Sequence, residues 1–217
     1  MPRFRINPKE TALILVDLQN AFLQHGGPLE RPGSQSIVGK LNDLITTSRS
    51  AGIKVIFTRQ AFRRDGSDAG LFREFVPLPP SRFALLEGNK DTEFYNGIDR
   101  QDDDLIITKS TYSALCGTDL DVVLRGLGIN TLIVGGVDTA VCCEATARDA
   151  RHLSYRVVFL SDGTATRDLP DRGWGVITAQ DVQKTVLTLM AFSYAEVASV
   201  EEVINRINNA ARNEGSK

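Results

Sequence analysis

Histidine is scarce in this chain. Only His25 and His152 occur in 217 residues, far apart and in neither an HxH nor an HExxH pattern, so no histidine-rich metal centre is expected. Cysteine is scarce too. Cys116, Cys142 and Cys143 make no disulfide framework and fit a reducing compartment. Charge of either sign is not in excess. A net charge of −2 speaks against nucleic acid or an acidic membrane as partner. No apolar run reaches membrane-spanning length, and the N-terminal MPRFRINPKE lacks a signal-peptide core. These absences together lead to the expectation of a cytoplasmic protein with no cofactor, no membrane partner and a small-molecule substrate.

What is present is ordinary core material. Hydrophobic residues make up 42% and charged residues 24%, enough apolar surface for one sizeable core, so residues 1–217 are read as a single domain. Short apolar runs recur at 11–16 (TALILV), 53–58 (IKVIFT), 104–108 (DLIIT), 131–134 and 156–162 (RVVFLSD), with a short sixth at 196–200. Between them, helical spacing runs from about Ser34 to Ala51, over 117–127, from the Cys142 region to about Leu153, over 177–193, and from Val200 to Ala211. Strands alternating with helices predict an α/β fold with a parallel sheet covered on both faces. Residues 59–103 are irregular and read either as a surface excursion or as cover for a site.

Ligands of such sheets bind beyond the carboxyl ends of the strands. Three chemically capable residues fall there: Asp17 after the first strand, Lys109 after the 104–108 run, and Cys142 after the 131–134 run. The last lies in LIVGGVDTAVCCEATARDA, read as a strand, a Gly135–Gly136 turn and a helix capped by Asp138 or Thr139. With Thr139 as the cap, Cys142 is the third helical position. The positive end of the helix dipole is then expected to lower its thiol pKa. A carboxylate, an ammonium and a thiol on one sheet edge suit acyl transfer to water. They equally suit an Asp17–Lys109 ion pair beside an inert cysteine.

The motifs decide between these. LILVDLQNAF, ITKSTYSAL and GGVDTAVCCEATARDA, in that order, resemble the three motifs of the isochorismatase-like cysteine hydrolases over nearly the whole chain. The resemblance implies a three-layer α/β/α, Rossmann-like fold with a six-stranded parallel sheet, and an Asp17–Lys109–Cys142 catalytic triad. It also implies a cis peptide between Val137 and Asp138 and an oxyanion hole from the backbone N–H groups of Asp138 and Cys142. A homo-oligomer, dimer or tetramer, is implied as well. The activity implied is hydrolysis of a C–N bond in a small amide, carbamoyl or ureido substrate through a cysteine thioester. An ether hydrolase of the isochorismatase type and a catalytically silent binding module are the alternatives. The histidine cluster of metal-containing nicotinamidases is missing from FTRQAFRRDGSD, so no metal is expected. Cys143 and Cys116 are read as structural. Gln19, Asn20, Phe22, Tyr112 and Trp174 are candidates for the substrate pocket. Arg59, Arg63, Arg64 and Arg73 are read mainly as solvated surface.

Overall fold

In the computed structural model, which describes residues 3–76 and 85–214, six strands form one sheet. They are β1 (Thr11–Val16), β2 (Lys54–Gln60), β3 (Leu105–Lys109), β4 (Thr131–Val137), β5 (Arg156–Ala165) and β6 (Glu196–Ala198). The helices are α1 (Asn20–Leu23), α2 (Val38–Ser50), α3 (Phe72–Phe75), α4 (Leu120–Gly126), α5 (Glu144–His152), α6 (Ala179–Leu189) and α7 (Val200–Glu214). Every pairing is parallel, in the order β3-β2-β1-β4-β5-β6.

The strands alternate their side chains between two cores, as the period of two requires. Leu13, Leu15, Phe57, Ile133 and Val158 face the core built with α2 and α7. Ala12, Ile14, Ile56, Leu132, Val157 and Phe159 face the core built with α4, α5 and α6. Burial on both faces explains why the central strands read as unbroken apolar runs. Leu41, Leu44 and Ile45 recur at helical spacing and are all fully buried on α2. That helix stops where Gly52 adopts φ +77°, the left-handed turn that ends helices at little cost only in glycine.

Two sequence expectations change here. Gly135 and Gly136 are not a turn but the last part of β4, which continues to Val137. The pairing of Val16 with Gly136 gives the reason. A Cβ on Gly136, at φ +121°, would stand 2.2 Å from the Val16 carbonyl oxygen. The glycine serves close approach of β4 to β1, not reversal of the chain. Likewise β5 continues through Ala165, past the expected end at 162, with a register shift against β4 between Val134 and Gly136. Of the irregular 59–103 stretch, residues 77–84 lie outside the described residues. The rest carries the end of β2, α3 and a short 3₁₀ turn at Lys90–Thr92.

The strand order places the topological switch between β1 and β4: the chain runs outward from β1 on one side and from β4 on the other. The crevice above that point is where a ligand meets such a sheet.

Candidate active site

Asp17 leaves β1 with φ +50°, a left-handed conformation that is uncommon for a residue with a side chain. Thr58 of β2 holds it there. The Asp17 N–H donates to Thr58 Oγ1 at 3.1 Å, and that hydroxyl donates to Asp17 Oδ1 at 2.6 Å. Asp17 Oδ2 faces the Lys109 ammonium at 2.7 Å, with both side chains fully buried. No well-aligned donor among the described residues reaches Oδ2. Lys109 closes β3 and also donates to the Thr111 carbonyl at 3.0 Å. Burial opposes its charge, but the carboxylate of Asp17 and the thiol of Cys142 outweigh that and hold its pKa above the ordinary lysine value.

Cys142 lies in a π-helical turn, Thr139–Cys143, that precedes α5. Such turns arise mostly as local insertions and are frequent at functional sites. Asp138 is the cap, its Oδ1 accepting from the Ala140 N–H at 3.0 Å. Cys142 is therefore the fourth residue of the turn, not the third of an α-helix. The expected lowering of its pKa does not occur. Burial, with the residue 4% exposed, pushes it up to about 12; Lys109 lowers it, and the Asp17 and Asp138 carboxylates raise it further. The dipole argument fails because a short turn supplies only a partial positive charge, while full burial acts on the whole thiolate.

The peptide bond between Val137 and Asp138 is cis. The Asp138 side chain is fully engaged. Arg31 Nε donates to Oδ2 at 2.5 Å, and Thr166 Oγ1 donates to Oδ1 at 2.7 Å. Arg31 is itself buried, donates through Nη1 to the Leu29 carbonyl, and stacks its guanidinium 5.3 Å from the centre of the Phe22 ring. A loop residue thus ties the turn before Cys142 to the rest of the fold.

The pocket candidates divide. Tyr112, 39% exposed, lines a cavity of about 260 Å³ with Gln60, Leu71, Phe72, Phe75 and Ser110. Gln19 does not face a ligand. Its amide donates to the carbonyls of Gln60 and Thr92 and accepts from the Gln60 N–H, so every direction is spent on backbone. Asn20 likewise bonds the Lys90 carbonyl. Phe22 is a core residue carrying Arg31. Trp174 is 91% exposed and forms no wall of the cavity. Asp17, Lys109 and Cys142 do not themselves line this cavity, which Gln60 joins to them, nor do they line the larger hollows of about 740 Å³ between residues 3–9 and α7 and about 760 Å³ at the amino ends of β2 and β3. No cluster of three His, Cys, Asp or Glu side chains among the described residues is placed to hold a metal ion, and no helix among them is long and apolar enough to cross a membrane.

Sequence reasoning missed Gln60 and Arg31. The carboxyl end of β2 carries the same signal as the ends of β1 and β3, but the apolar run stops at Thr58, two residues short of Gln60. Arg31 lies in a Gly- and Pro-rich loop with no periodic signal at all.

Known proteins show the same architecture. The crystal structure of a cysteine hydrolase from Pseudomonas syringae pv. phaseolicola superposes with a TM-score of 0.92 at 41% identity, covering 96% of this chain and 97% of that one. An isochorismatase-like hydrolase from Alkaliphilus metalliredigens matches at 28% identity with a TM-score of 0.77, over 90% of this chain and 98% of that chain. The ureidoacrylate amidohydrolase RutB of Pantoea ananatis is 33% identical over 174 residues, 72% of this chain and 70% of its own. RutB of Agrobacterium fabrum is 30% identical over 176 residues, 73% of this chain and 77% of its own. The model of the isochorismatase domain matches residues 11–202, from the first residue of β1 into α7, and the chain belongs to the isochorismatase family of hydrolases.

Proposed function

We propose that this hydrolase cleaves a C–N bond of a small carbamoyl or ureido compound through a thioester on Cys142. The observation that carries the reading is the buried Asp17 carboxylate, ion-paired to Lys109 at 2.7 Å beside a protonated, buried thiol. Such a thiol is not a standing nucleophile. It needs a base at the moment of attack, and Asp17 is the carboxylate in place.

The reaction then runs in two halves. As Cys142 Sγ bonds to the carbonyl carbon, its proton passes to Asp17. The carbonyl electrons collect on oxygen, facing the backbone N–H groups of Asp138 and Cys142 as oxyanion donors. When the oxyanion collapses, the C–N bond breaks and the nitrogen leaves as ammonia or an amine with the proton from Asp17. Water then attacks the thioester, giving its proton to Asp17, and the thiolate departs and recovers that proton. Lys109 keeps Asp17 charged between steps, its ammonium offsetting the cost of a buried carboxylate. Arg31 acts through Asp138, fixing the turn rather than touching the reacting atoms.

The same reading has the enzyme working in the cytoplasm as a homo-oligomer. Three free cysteines support the first, and the exposed Trp174, Val176 and Phe192 support the second. The test is quenched single-turnover mass spectrometry with ureidoacrylate, read beside ammonia release. An adduct on Cys142 that forms and decays at the turnover rate is expected. Turnover that persists in Cys142→Ala would sink the thioester mechanism.

A further inference from the structure

Gln60 is the last residue of β2 and pairs in register with Lys109. Gln19 clamps its backbone on both sides, at 2.8 Å through the N–H and 3.0 Å through the carbonyl. The side chain is free of that clamp and only 1% of the residue is exposed. Its Oε1 accepts from the Cys142 thiol at 3.7 Å, and its Nε2 has no partner among the described residues. The residue also forms part of the wall of the cavity that Tyr112 and Phe72 line. A buried amide nitrogen without an acceptor is costly and rare in a finished structure. Here it lies beside the nucleophile and next to open space.

We propose that Gln60 is the specificity-determining residue of the site and that its carboxamide selects ureido over simple carboxamide substrates. This rests on the amidohydrolase reading for the identity of the site, but on its own geometry for the selection. At attack the scissile carbon comes to about 3–3.5 Å from Sγ. One substituent of that carbon, the oxygen, belongs to the oxyanion donors. The leaving nitrogen belongs to Asp17, which must protonate it. The third substituent faces Oε1 of Gln60, which loses its thiol donor as the proton passes to Asp17. An N–H at that position, present in a ureido group, fills the vacated acceptor. A methylene, present in a carboxamide, leaves the oxygen buried and unpaired. Nε2, on the same planar amide, then donates to an oxygen farther along the substrate, such as the carboxylate of a ureido acid.

The test uses two acids of nearly equal shape, 3-ureidopropanoate and 4-carbamoylbutanoate, which differ by NH against CH₂ at that substituent. Their binding to the Cys142→Ala protein is measured by calorimetry, so that no turnover is needed. The ureido acid is expected to bind about tenfold or more tightly, as for sites built around a substrate N–H. Adding Gln60→Leu should bring the two affinities to within about twofold of each other. Gln60→Met is measured beside it, so that a packing defect of the branched side chain does not decide the result. Neither variant should melt lower than its parent, because each removes an unpartnered buried amide; a residue with a merely structural role would lose stability instead. Equal binding of the two acids by the parent, absence of binding by both, or a preference that survives in both Gln60 variants overturns the proposal. Turnover of the ureido acid by the protein with Cys142 intact is followed in parallel. If binding shows the expected preference and no ammonia is released, the amidohydrolase reading fails while the role of Gln60 stands.

Discussion

Two carboxylates are buried against basic side chains at opposite ends of the parallel strands, and their hydrogen-bond balance differs. Glu196, at the amino end of β6, has both oxygens filled. Oε1 accepts from Arg206 Nη1 at 2.5 Å, and Oε2 accepts from the Phe4 N–H at 2.6 Å and from Arg206 Nη2 at 3.3 Å. Arg206 completes the loop by donating to the Phe4 carbonyl. That closed network fastens the N-terminal segment to α7. Asp17, at the carboxyl end of β1, is as deeply buried and keeps one oxygen, facing Lys109, without a well-aligned donor. A closed network specifies structure; an open one in the same burial holds capacity in reserve for a reaction.

The largest separation between the two ends should come from the nucleophile. Cys142→Ala is expected to lower kcat by about a thousandfold or more while leaving the melting temperature within a few degrees, as steady-state assays and calorimetry would record. Asp17→Asn should lower kcat by a similar about thousandfold factor, since general acid–base catalysis is lost in both halves of the reaction. Retention of most activity in either variant would erase the functional side of the contrast. Glu196→Gln probes the other side. It should cost about 1–3 kcal/mol in denaturant unfolding, because a partly buried guanidinium loses its counter-charge, with kcat per folded molecule unchanged. A comparable loss of kcat there would show that the clasp reaches the site.

Arg31→Lys sharpens the boundary between the two kinds of network. The lysine keeps the charge but not the fork that joins Asp138 to the Leu29 carbonyl, so kcat should fall about tenfold with little change in KM. The smallest effect concerns the resting thiol. With a pKa raised to about 12, Cys142 in the wild type should react slowly with iodoacetamide at neutral pH and faster as pH rises through 9 and beyond. Asp17→Asn removes a charge that raises that pKa, so the rate profile should move to lower pH even though turnover is lost. A profile already flat near neutral pH in the wild type would contradict the buried, protonated thiol.

The sequence made the sheet legible because its strands are buried on both faces and so appear as apolar runs with chemistry at their ends. Asp17, Lys109 and Cys142 were readable for that reason, and the structure brings all three together. What stayed hidden depended on direction and depth. Gln19 follows the aspartate as a pocket residue should, but its amide turns back to the Gln60 and Thr92 backbone. Gln60 looked like the start of a polar excursion, since nothing in the order of residues shows β2 running on under Lys109. The thiol pKa was misread because a helix start is visible in sequence and burial is not. Arg31 pairs with Asp138 across 107 positions of chain, a partnership no local pattern encodes.

Gly136 sets a limit on how this enzyme can be altered. With a Cβ there only 2.2 Å from the Val16 carbonyl, any of the other residue types would wedge β4 away from β1 at the switch point. Asp17 follows β1 directly, and Cys142 lies in the turn that β4 leads into. In a saturation library, the position should therefore behave as an all-or-none gate on activity, whereas exposed positions such as Val122 should accept most replacements. A laboratory seeking new substrates has freedom in the cavity wall and at the rim, and none in the gap between the two strands that lead to the acid and the thiol.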